Sequence, residues 1–110
     1  MKEIDWSSLS FGYMKTDYNV RCWYRDGAWG EIEVSSEETL NIHIAATCLH
    51  YGQEAFEGLK AYRCPDGKVR VFRMDENAAR LQSTCRGIMM PELPTELFEE
   101  MVAKVVKLNE

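Results

Sequence analysis

Residues 49–81, LHYGQEAFEGLKAYRCPDGKVRVFRMDENAARL, decide the fold class, because several kinds of local pattern meet inside them. Across 59–64 the side chains alternate, Pro65-Asp66-Gly67 breaks the run, and Val69-Arg70-Val71-Phe72 alternates back. A two-residue period puts successive side chains on opposite faces of a strand, and Pro-Asp-Gly supplies the turn, so the segment predicts a β-hairpin. Beyond it Met74, Ala78, Leu81, Cys85 and Ile88 recur at spacings of four, three, four and three, which sets them on one face of a helix. Asp75 stands near the start of that helix, where a negative charge suits the dipole, and Gly87 marks its end. Before the hairpin, Tyr51 and Ala55, with Phe56 one residue on, sit at helical offsets and predict a short helix within 50–57 that ends at Gly58.

Outward from this stretch, residues 1–16 show no sustained period and read as an extended lead-in. Tyr18, Val20, Cys22 and Tyr24 alternate with Asn19, Arg21, Trp23 and Arg25, Asp26-Gly27 gives the positive φ angles of a tight turn, and 31–34 alternates again as the return strand. Residues 35–41 are polar and read as loop, and Ile42 and Ile44 around His43 predict a short strand. Pro91 and Pro94 bracket a connection, Thr95 is placed to cap a last helix, and Leu97, Phe98, Met101, Val102, Val105 and Leu108 form its apolar face. Hairpins mixed with helices, without β-α-β alternation, predict an α+β fold: an antiparallel sheet built from hairpins packed against two helices.

The composition narrows the function. A chain of 110 residues fits one domain with a modest core, and 45% hydrophobic with 28% charged residues is ordinary for a folded soluble protein. Thirteen basic against eighteen acidic residues, a net charge of −5, argues against a nucleic-acid partner. No apolar run is long enough to span a membrane, and the first residues lack the apolar core of a secretory signal, so the expected location is the cytoplasm. Cys22, Cys48, Cys64 and Cys85 are too widely spaced for a zinc site or a disulfide framework and read as reduced thiols, and His43 and His50 make no ligand pattern, so no metal is expected.

Few residues look chemical. The nucleophile-elbow, phosphate-loop and metalloprotease motifs are all missing. Glu54 and Glu57, three apart on the predicted short helix, read as a solvated face rather than an acid–base pair. Arg80 stands beside the apolar stripe after three small residues, Asn77, Ala78 and Ala79. A planar guanidinium with small neighbours suits a phosphate or carboxylate, and it also suits an arginine snorkelling off the edge of a buried face. Tyr51 and Phe56, each with a glycine nearby, fit either an apolar pocket or ordinary core packing.

Taken together, HY at 50–51, FEGLKA at 56–61, VRVFR at 69–73 and N-x-x-R-L at 77–81, with weaker likeness at FGYMKTDYNV and PELP, resemble the N-terminal domain of branched-chain amino-acid aminotransferases, enzymes of fold type IV that use pyridoxal 5′-phosphate. The resemblance implies that residues 1–110 are the small N-terminal domain and that Arg80 binds the cofactor phosphate. It also implies that Phe11, Tyr51 and Phe56 line the pocket for a branched aliphatic side chain. The lysine that carries the cofactor covalently lies in the family's second domain; neither Lys60 nor Lys68 falls in its position, so no catalytic residue is expected in this chain, which alone should be inactive. The full enzyme is expected to be a homodimer that moves the amino group of Leu, Ile or Val to 2-oxoglutarate. D-Amino-acid aminotransferases and aminodeoxychorismate lyases share the scaffold and stay open as alternatives, as does a binding module without catalysis.

Overall fold

The computed structural model describes residues 12–110. Short antiparallel strand pairs and helices make an α+β fold, as the patterns predict. The first hairpin is two nested ladders. Strands β2 (Tyr24–Arg25) and β3 (Ala28–Trp29) pair about Asp26 and Gly27, whose φ angles of 53° and 79° give the turn that follows the twist of paired strands. Further out, β1 (Asn19–Arg21) pairs with β4 (Glu33–Ser35). Between the ladders only Cys22 and Trp23 stand on one arm, whereas residues 30–32 stand on the other. This one-residue excess shifts the register, as a β-bulge does. The Gly30 amide donates to the Trp23 carbonyl at 2.8 Å across the break. Tyr24 and Trp29 meet edge to face with centroids 5.1 Å apart, and the Trp29 indole donates to the Glu92 carbonyl at 3.1 Å, fastening the hairpin to the connection before the last helix.

The second hairpin pairs β5 (Ala61–Arg63) with β6 (Val69–Val71). Its turn is held locally: Gly67 takes φ 83° and its amide donates to the Cys64 carbonyl at 2.9 Å. The Lys68 amide donates to Asp66 Oδ1, and Asp66 also receives Arg70 Nη2 at 2.7 Å.

The segment before this hairpin departs from its predicted form. The helix is one turn, α1 (Thr47–His50), and lies earlier than 50–57. Tyr51 follows as its C-cap residue, Gly52 next adopts φ 63°, which turns the chain out of the helix, and from 53 to 60 the chain runs without helix. There the exposure alternates: Gln53, Ala55, Glu57 and Leu59 are half-buried, whereas Glu54, Phe56, Gly58 and Lys60 are exposed. The predicted strand at Ile42 and Ile44 is a turn instead, in which both isoleucines are exposed, the Ala45 amide donates to His43 Nδ1 at 3.0 Å, and His50 Nε2 meets the Ile44 carbonyl at 2.6 Å. Local side-chain bonds to the backbone compete there with any ladder.

The long helices are α2 (Met74–Gly87) and α3 (Thr95–Leu108). They pack together, and the buried residues among those described come from these two helices: Ala78 and Cys85 from α2, Phe98 from α3. Thr95 does not cap α3. It is the first helical residue, the N-cap position falls to Pro94, and the Thr95 hydroxyl oxygen accepts from Gln82 Nε2 at 3.1 Å. The other end of α3 lies against β1, where Asn109 accepts the Tyr18 amide at 3.0 Å and donates to the Tyr18 carbonyl at 2.9 Å. Cys22, Cys48, Cys64 and Cys85 are free thiols. Among the described residues no helix is long and apolar enough to cross a membrane.

Candidate functional site at Arg80

Helix α2 starts with Asp75 and Glu76 in its first turn, which favours the helix electrostatically and brings Asn77 and Arg80 onto one face, three residues apart. That face looks toward the extended 53–60 segment. Alternation there turns Glu57 inward, leaving only 8% of its side chain exposed, against 67% for Arg80. A carboxylate so placed has lost most of its water and needs donors. Arg80 Nε lies 2.9 Å from Glu57 Oε1 and 3.0 Å from Oε2, and Nη2 also donates to Oε1. Asn77 Nδ2 donates to the same Oε1 at 2.9 Å and to the Gly58 carbonyl at 3.1 Å. The bond from Arg80 holds the Glu57 carboxyl below its usual range against the opposing effect of burial, with Asn77 assisting, and the Arg80 guanidinium is correspondingly harder to deprotonate.

A guanidinium offers five N–H donors in one plane. Glu57 occupies the edge made by Nε and one Nη2 hydrogen. The opposite edge, formed by Nη1 and the second Nη2 hydrogen, meets no acceptor among the described residues and belongs to a largely exposed side chain. Such an edge is fitted to a phosphate or carboxylate.

The other expected site residues are not gathered around this arginine. Tyr51 is 82% exposed and lines a shallow hollow with Thr47, Gly52, Gln53 and Ile88, while Phe56 and Arg80 lie outside that hollow. Phe56 is 79% exposed, on the opposite side of the extended chain from its neighbour Glu57. Neither ring is core packing. Phe11 lies outside the described residues. The expectation that Glu57 is merely a solvated acid is overturned: the segment is extended rather than helical, and its alternation turns the Glu57 side chain inward. Asn77, a small neighbour of Arg80 in the sequence, is half-buried and serves Glu57; its signal in the sequence is an uncharged amide three residues before Arg80, directly after Asp75 and Glu76. Among the described residues no group of three or more His, Cys, Asp or Glu stands together as a metal site.

No family model matches the chain. Curated relatives do. The chain is 49% identical over its whole length to a branched-chain-amino-acid aminotransferase of Haemophilus influenzae and 44% identical to that of Helicobacter pylori, covering 32% of each. A branched-chain-amino-acid transaminase 1 of Bacillus subtilis is 41% identical over 96% of the chain, which covers 30% of it. The chain thus spans about a third of the length of the curated relatives it matches. From end to end it is a homologue of the N-terminal portion of the branched-chain-amino-acid aminotransferases.

Proposed function

We propose that residues 1–110 act as the small, phosphate-anchoring domain of a cytoplasmic, homodimeric aminotransferase that moves the amino group of Leu, Ile or Val to 2-oxoglutarate. The observation that carries this reading is identity of 49% and 44% over the full chain with two enzymes of that name. The geometry at Arg80 supports a phosphate ligand: an exposed guanidinium edge, fixed from behind, matches the 5′-phosphate of pyridoxal phosphate, whose ring supplies an electron sink for chemistry at the amino acid's α-carbon. Arg80 would hold that phosphate. Tyr51 and Phe56, with Phe11, would present apolar walls that accept an aliphatic side chain and offer no partner to a charged one.

No lysine of this domain is assigned a covalent role; that group is assigned to the second domain. Exposed Tyr51, Phe56, Phe72 and Ile44 are large apolar groups in water, the kind of surface that a second domain or a twin subunit covers. The complete gene product is expected to use L-leucine with 2-oxoglutarate in preference to D-alanine or aminodeoxychorismate. Turnover of D-alanine or aminodeoxychorismate without L-leucine would replace the substrate assignment, and no turnover of any of the three would leave the domain as a binding module.

A further inference from the structure

We infer that Glu57, braced by Asn77, is a positioning residue that aims the free edge of Arg80 at the cofactor phosphate. The inference rests on the phosphate role proposed for Arg80 and adds to it a reason why that arginine points where it does. The burial within the pair is lopsided: the acid is 8% exposed and the arginine 67%. An ion pair that served only to tie the extended segment to α2 has no need to keep the cation in water. Here the acid is fixed, because its Oε1 accepts from Asn77 as well as from Arg80 Nε and Nη2. Asn77 is fixed in turn by the Gly58 carbonyl. A long arginine side chain otherwise loses substantial rotamer freedom when it binds an anion. Holding the guanidinium at its Nε–Nη2 edge removes that loss beforehand and leaves the Nη1–Nη2 edge as a two-pronged anion donor.

The negative charge of Glu57 also lies close behind a site for another anion, which weakens the attraction. A carboxylate shared by three donor atoms is already neutralised locally, while the orientation it imposes on Arg80 is retained.

The test uses the complete gene product, freed of cofactor, and measures affinity for pyridoxal 5′-phosphate and for pyridoxal, which lacks the phosphate. The ratio of the two isolates the phosphate contact. Arg80→Ala is expected to cut that ratio roughly tenfold or more, the size of a lost charged hydrogen bond. Glu57→Ala is expected to cut it by roughly three- to tenfold while leaving pyridoxal affinity in place, and Glu57→Ala with Arg80→Ala is expected to be no worse than Arg80→Ala alone. Glu57→Gln keeps the shape and an acceptor oxygen, so a smaller loss than that of Glu57→Ala is expected; it carries the test if the alanine variant does not fold. If Arg80→Ala lowers the ratio but both Glu57 variants leave it unchanged, Glu57 is only a tether. If they raise it, Glu57 competes with the phosphate. Either result overturns the inference, whereas an unchanged ratio in Arg80→Ala removes the phosphate reading itself.

Discussion

Glu57 and Arg80, 23 residues apart in the chain, show how one side chain's surroundings set another's use. The pair has a definite pH dependence. Hydrogen bonding by Arg80, first, and by Asn77 holds the Glu57 carboxyl below its ordinary value of 4.5, with burial opposing. A folded-state value below the unfolded one means that folding favours the ionised form. The contribution is therefore complete above the unfolded value and is lost as pH falls through the lowered folded value. The pair should accordingly be intact from pH 5 upward. Carbon-detected titration of the Glu57 carboxyl is expected to show a midpoint below 4.5, and Arg80→Ala should move that midpoint upward; an unmoved midpoint would mean that the two groups do not interact in solution. In the sequence Arg80 already stood out as a planar cation among small neighbours. Its partner did not, because a carboxylate pair spaced three apart reads the same whether the backbone is helical or extended until the backbone is known.

At the scale of elements, legibility followed the turns. Asp26-Gly27 and Pro65-Asp66-Gly67 turn where the sequence places them, since a positive φ is a property of one residue and glycine adopts it without a Cβ penalty. The short helix lies at Thr47–His50, earlier than its pattern predicts, because four residues carry too little periodicity to fix a boundary and the chain leaves the helix at Tyr51 and Gly52. Two glycine substitutions should behave oppositely. At Gly67 a Cβ meets nothing within 4 Å, yet φ is 83°, so Gly67→Ala is expected to cost about 1 kcal/mol through backbone strain alone. At Gly87 a Cβ also meets nothing, and the residue ends α2 without a positive φ. Gly87→Ala should be neutral or stabilise by up to about 0.5 kcal/mol through helix propensity. Urea midpoints of the two variants check both signs.

Across the whole molecule the stabilising core is small. Ala78, Cys85 and Phe98 are the buried apolar residues among those described, and Phe98 is the one large side chain of the three. Phe98→Ala is expected to lower stability by about 3 kcal/mol, the range for a deleted buried aromatic. With so little else between α2 and α3, the measurable result should be a collapse of the thermal transition rather than a modest shift. Stability unchanged by that substitution would show that the helix pair is held elsewhere, for instance by Gln82, which donates to the Leu93 carbonyl at 2.8 Å.

The sequence by itself determined the α+β class, the two hairpins, the apolar faces of α2 and α3, and the resemblance that singled out Arg80. These rest on residue period and turn chemistry, which act over a few neighbours. The tertiary structure alone decided that the Glu57 side chain is turned inward and largely covered rather than solvated, that Glu57, itself held by Asn77, grips Arg80 from one side, that Thr95 bonds Gln82 instead of capping α3, and that Asn109 closes against Tyr18, 91 residues away in the chain. Each of those depends on which segments pack against one another. A polar side chain facing a packed neighbour must find its donors there, and no local pattern records which neighbour that is.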